Sequence, residues 1–183
     1  MAMLETINEG LHFKTEWEII KFKDPNNEIA RLMQAGLPKY IALRRFKDRL
    51  IGIETIQENL GLNEGIQALL ELIAGISTPT KWDNTNARLG VGNSNTAAQA
   101  TDTGLLGASK TFKAMDSGYP QRSNQMLEWR ATFGSAEGNH AWEEYTVVNA
   151  ADDTGQNLNR KVEDKGTKAS GETWTLSLKI TFS

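Results

Sequence analysis

Apolar positions keep two different rhythms along this chain, and the rhythm changes at Pro79. Upstream, charged segments space their apolar residues three and four apart, as one face of a helix requires. Downstream, a stretch rich in Gly, Asn, Thr and Ser alternates apolar with polar residues, the period of a half-buried strand. The change predicts an α+β chain: an N-terminal extended arm and helices followed by an antiparallel β-sandwich domain, with a barrel as the alternative closure.

Upstream, residues 16–22 interleave Trp17 and Ile19 with Glu18, Ile20 and Phe22, which predicts a short extended segment, an arm laid on another surface. Asp24 and Pro25 open a helix, because the carboxylate caps free amides and proline is accepted at the first helical position. Ile29, Leu32 and Met33 share one face of it, and Gly36 followed by Pro38 ends it. Residues 40–60 carry Ile41, Leu43, Phe46, Leu50, Ile53 and Ile56 at helical intervals, predicting a second helix that Gly52 interrupts. A third starts at Asn63, placed as a cap. Its apolar stripe of Leu62, Ile66, Leu69, Leu70 and Ile73 must be buried against something, and Gly75 terminates it.

Downstream, Trp174, Leu176, Leu178, Ile180 and Phe182 point one way and Thr175, Ser177, Lys179 and Thr181 the other, so one face is core and one is water. Leu127, Trp129, Ala131 and Phe133 oppose Glu128, Arg130 and Thr132 in the same manner. A strand over 142–148 and shorter ones over 87–91, 110–115 and 158–162 bring the expected total to about six, joined by Gly, Asn and Ser turns. No strand alternates with a helix, which argues against a parallel α/β sheet.

At 183 residues the chain has room for one core plus an extension. A formal net charge of −3 exerts no overall pull on nucleic acid or anionic membranes. The lack of cysteine removes disulfides, thiolate metal sites and cysteine nucleophiles. The first six residues lack the basic and apolar regions of a signal peptide, and no apolar run reaches bilayer length, so a soluble protein made in a cytoplasm is expected.

The residues that could carry chemistry do not assemble into a site. Gly90 and Gly92 have the spacing that opens a dinucleotide fingerprint, but the third glycine and the following helix are missing, so a tight turn leaving a strand is expected. The two histidines, His12 and His140, lie in unrelated settings. Asp152, Thr154, Gln156 and Glu163 match several calcium-loop positions, yet Asn157 stands where the sharp-turn glycine belongs. Glu143 and Glu144 are adjacent, and neighbours on a strand face opposite ways. No catalytic residue, cofactor or metal ligand is therefore expected. The basic run Arg31, Lys39, Arg44, Arg45 and Lys47 has no acidic residue between Glu28 and Asp48, and reads as a solvated face or a dock for an acidic protein surface.

The segment ARLGVGNSNTAA at 87–98, continued by ATDTGL at 100–105, resembles a stretch common in virion proteins of tailed bacteriophages. KAMDSGYP at 113–120, WRATFG at 129–134, LNRKV at 158–162 and the alternating terminal strand resemble the same proteins, so the similarity covers about 62–183. The resemblance implies a non-enzymatic capsid decoration, or cement, protein on the virion surface, made in the host cytoplasm. Its partners would be the major capsid protein and sister copies, in a homo-oligomer such as a trimer, with no nucleic acid and no membrane.

Residues 1–61 are then expected to serve attachment, and 62–183 to form a helix plus the sandwich. Trp17, Ile19, Ile20, Phe22, Arg44, Arg45 and Lys47 are the expected partner-binding residues. Covering that apolar group would contribute several kcal/mol at about 25 cal/mol per Å². The alternative is a tail, fibre or baseplate component binding a host surface glycan through the loops at 93–103 and 134–139. A glycan-processing enzyme would need acids such as Glu143 or Glu144.

Overall fold

Residues 13–182 are described by the computed structural model, and the sequence expectations for His12 and the first six residues lie outside them. In chain order the elements are β1 (Phe13–Lys23), α1 (Glu28–Gln34), α2 (Lys39–Arg45), a 3-10 turn (Lys47–Arg49), β2 (Leu50–Gln57), β3 (Leu60–Gly61) and α3 (Asn63–Ala74). There follow β4 (Arg88–Gly92), β5 (Lys110–Ala114), β6 (Gln121–Ser123), β7 (Met126–Phe133), β8 (Glu144–Val148), β9 (Asn159–Val162) and β10 (Glu172–Phe182). The fold is mixed α+β, with two antiparallel five-stranded sheets ordered β2-β1-β10-β7-β6 and β3-β9-β8-β4-β5.

The expected arm at 16–22 is instead the heart of a strand. β1 pairs with β10 along its whole length, Trp17 facing Leu178 and Ile19 facing Leu176, and with β2 on its other edge. Strands from both sides of the expected 61/62 division share each sheet, β1 and β2 with β10 in one and β3 with β9 in the other.

Alternation fails in β1 because both of its faces are covered. Trp17 and Ile19 enter the main core with Leu89 and Val91 of β4, Tyr145 and Val147 of β8, and Leu176 and Leu178 of β10. Trp142 packs edge-on against Phe133 and Trp174 at the centre of that cluster, with ring centroids 4.8 and 4.9 Å away. On the opposite face Ile20 and Phe22 meet Ile29 and Met33 of α1, Ala42 of α2 and Phe46 in a second cluster. A strand roofed on both sides reads as a continuous apolar run rather than as in-out alternation.

The predicted helix over 40–60 is correct only for its first turns. After α2 and the 3-10 turn the chain extends into β2, an edge strand, in which Ile51, Ile53 and Thr55 are exposed and Ile56 is buried. Ile53 and Ile56 match helical spacing, but pairing with β1 decides the conformation, and Gly52 sits opposite Lys21 beside the irregularity at Lys21/Phe22.

The outer face of the first sheet, expected to meet water, is also partly roofed. Arg130, Thr132, Thr173 and Thr175 are buried. The roof is α1, held at both ends by ionisable side chains. Asp24 accepts the amides of Glu28 and Ala30 at 3.0 Å and the Thr173 hydroxyl at 2.8 Å, the capping role its position suggested. At the other end Arg130 donates to the carbonyls of Met33 at 3.0 Å and Leu37 at 3.2 Å while its Nε meets Asp116 Oδ2 at 2.8 Å. Asp116 also accepts the Thr132 amide and hydroxyl.

Candidate interaction surface

The polar residues that looked most like chemistry are used to hold the fold. Glu144 is buried in β8, where its carboxylate accepts from Arg160 Nη2 at 2.8 Å and from the amides of Leu106 and Gly107 at 2.9 and 2.6 Å. Arg160 in turn reaches Asp102 Oδ2 and the Thr96 carbonyl, each at 3.0 Å. This pair pins the chain over 93–107, which includes the 93–103 loop expected to meet glycan, to the second sheet. Gly92 is required beneath it, since a Cβ there would lie 2.3 Å from a Glu144 oxygen, and so the glycine spacing reflects close packing in β4.

The second expected loop, 134–139, is tied down in the same way. Lys168 Nζ donates to the Gly134 carbonyl at 2.7 Å and to Asn139 Oδ1 at 2.8 Å, and burial lowers the ammonium to about 8. Glu137 accepts the Gly134 amide and the Lys113 ammonium. His140 contacts Thr111 Oγ1 at 3.1 Å and the Ala141 carbonyl, with no carboxylate bonded to it among the described residues.

The calcium-loop candidates are likewise engaged. Asp152 accepts the Thr154 amide, Gln156 accepts the Asn149 side-chain amide, and Glu163 pairs with Lys165 at 2.6 Å. Among the described residues no group of three metal-ligating side chains converges, and no helix is long and apolar enough to cross a membrane.

The expected partner-binding residues divide sharply. Trp17, Ile19, Ile20 and Phe22 are buried inside the chain, covered by its own helices and second sheet, so they present nothing to a partner. Arg44, Arg45 and Lys47 are exposed. Arg44 and Arg45 line, with Tyr40 and Ile41, a shallow cleft of about 400 Å³ on the outward side of α2. Arg45 lies 3.6 Å from Glu28, whereas Arg44 and Lys47 make no ion pair among the described residues. Their charge is free to meet an incoming surface.

A second run of exposed apolar side chains lies on α3 and just past its end. Its core side is built from small residues, Gly65 and Ala68, with Leu72 beside them, and a Cβ on Gly65 would come within 2.4 Å of the Leu158 backbone. That close approach turns the expected core stripe outward. Of the predicted stripe, Leu62 is buried and Leu69 half-buried, while Ile66, Leu70 and Ile73 are 44, 58 and 75 % exposed, and Ile76 beyond the helix is 80 % exposed. Glu64 and Glu71, seven residues apart, lie on the far side of the helix from this stripe, where Glu64 accepts the Asn157 amide at 2.7 Å. Sequence reasoning found the stripe and required a cover for it, but the chain itself covers the Gly65 and Ala68 side instead, and those small residues were the signal that it missed. No protein-family model, curated protein or solved structure matches this chain.

Proposed function

We propose that this chain is a non-enzymatic structural protein of a phage particle, bound through the major capsid protein to the outside of the capsid and stabilising contacts between capsomers. We infer that its two sheets pack as an antiparallel β-sandwich, with α3 against one margin and its apolar stripe turned outward. The observation that carries the reading is that stripe. Four large aliphatic side chains stand in water on one short stretch of chain, while the buried polar groups described above are spent on internal bonds. Such surfaces serve association. The resemblance of 62–183 to virion proteins supplies the kind of assembly.

The role expected of residues 16–22 passes to α2 and α3. An attachment surface made of helix faces on a rigid core suits a protein that must join neighbouring capsomers without rearranging. Imaging virions labelled with an antibody against this protein tests the reading. Label over the head is expected; label confined to the tail, or absent from purified particles, overturns it.

A further inference from the structure

Lys168 is 1 % exposed, and among the described residues no carboxylate is bonded to it. Its ammonium is held instead by two neutral acceptors, the Gly134 carbonyl at 2.7 Å and Asn139 Oδ1 at 2.8 Å. The Asn139 side chain is fixed from its other end, where Nδ2 donates to the Ser135 carbonyl at 3.1 Å. The two segments run antiparallel, with the Lys168 amide on the His140 carbonyl at 3.1 Å and a bridge between Ala141 and Thr167. A carbonyl bond of about 1.2 Å then puts Asn139 Cγ within about 4.0 Å of the lysine nitrogen.

We propose that Lys168 and Asn139 join in an intramolecular isopeptide bond, Nζ to Cγ, with the side-chain nitrogen of Asn139 leaving as ammonia. An amine attacks only when neutral, and burial lowers Lys168 to about 8, so about a tenth of it is neutral at pH 7. The torsion that turns the amide face toward Nζ is broad in asparagine. Holding both groups side by side replaces a chance encounter with a standing one. Asn139 itself is exposed, which gives the ammonia a way out. Of the nearby carboxylates Glu172 acts most strongly on the Lys168 charge, followed by Glu137. Glu137 is engaged by Lys113 and the Gly134 amide, whereas Glu172 is bonded through Oε2 to Trp174 Nε1 and the Ala169 amide, so Glu172 is the one to carry a proton.

The step balances without an oxidant. The ammonium gives one proton to Glu172, the Nζ lone pair forms the bond to Cγ, and the π pair of the carbonyl moves onto Oδ1. As that pair returns, the Cγ–Nδ2 bond breaks. Nδ2 takes a second proton from Nζ and the one held by Glu172, and departs as ammonium. Nζ keeps one hydrogen, which goes on donating to the Gly134 carbonyl. A chain without cysteine thereby gains a cross-link that needs no redox partner, tying the 134–139 loop to the segment that enters β10. The inference goes beyond the structural reading and does not depend on it.

Intact-mass spectrometry of the denatured full chain tests the bond. Wild type incubated at about pH 9, where Lys168 is largely neutral, is expected about 17 Da below its sequence mass, one ammonia lost. A protease digest should yield one branched peptide that joins position 139 to position 168. Lys168→Arg and Asn139→Ala are expected to keep full mass, and the second alters an exposed side chain, so its circular dichroism should match wild type. Glu172→Gln should slow the loss of mass by about tenfold or more. Wild type that stays at full mass overturns the proposal. So does a loss of ammonia that persists in Lys168→Arg, which would report an asparagine cyclising on its own backbone. A Glu172→Gln chain that reacts as fast as wild type overturns the proton path through Glu172.

Discussion

Arg160 and Glu144 form an ion pair inside the second sheet, with Nη2 of one 2.8 Å from Oε2 of the other and both side chains closed to solvent. The pair also receives the backbone of the 93–107 loop, so its loss would be felt in two places. Glu144→Ala leaves a buried guanidinium with only Asp102 and the Thr96 carbonyl to satisfy it. We expect a loss of about 3–5 kcal/mol in urea denaturation and faster proteolysis within 93–107 than elsewhere. Cleavage that stays outside this loop would show that other contacts hold it.

Asp116 gives a pH dependence with a definite sign. Burial raises its carboxyl to about 6, against the opposing pull of Arg130 and Thr132. The folded chain thus holds this proton more tightly than the unfolded chain, whose aspartates titrate near about 4. The stability that protonation contributes is complete below that value and is lost as pH rises through about 6. Relative to Asp116→Asn, wild type should lose on the order of 2 kcal/mol between pH 4 and 7. A difference that does not change with pH would mean that Arg130 keeps the carboxylate ionised throughout.

On α3 the usual ranking of damage is reversed. Gly65→Ala places a methyl against the Leu158 backbone and should cost about 1–3 kcal/mol. Leu70→Glu, which changes a large apolar residue to a charge, should cost no more than about 0.5 kcal/mol, because the side chain already stands in water. Thermal melts of the two variants side by side decide this, and the opposite order would place the stripe in the core.

Removal of residues 1–23 separates an arm from a strand. An arm could be lost without harm to the remaining domain. β1 lies between β2 and β10, so its loss leaves β10 without its longest pairing and uncovers Ile29 and Met33. We expect the shortened chain to lack the cooperative melt of wild type. Trp17→Ala, a milder probe of the same strand, should cost about 3–5 kcal/mol. A shortened chain that melts cooperatively would return the segment to the status of an arm.

How far the sequence could be read depended on how many faces of each element are covered. β7 and β10 were legible because their core sides alternate cleanly through Trp129, Ala131 and Phe133 and through Leu176 and Leu178. β1 was legible as extended but not as a sheet strand, since Trp17, Ile19, Ile20 and Phe22 fill two cores at once. β2 imitates a helix because edge exposure leaves Ile53 apolar in solvent. The roof over Arg130 could not be anticipated: Asp116, Met33 and Leu37 reach it from distant points of the chain, and no local pattern brings them together. Of the candidate surface, the basic residues Arg44, Arg45 and Lys47 were identified as exposed from their run alone, while the apolar part was sought in β1 and is carried by α3.

The ladder between β1 and β10 sets the order in which this protein can mature on the ribosome. β1 is synthesised before the Glu172–Phe182 segment and must wait for it before its longest backbone ladder can form, with Trp17, Ile19, Ile20 and Phe22 lacking their final cover meanwhile. A topology that joins distant segments is slow to close and leaves sticky surface in transit. Yield of the folded protein should therefore depend on chaperone capacity during synthesis more than on the stability of the finished sheets.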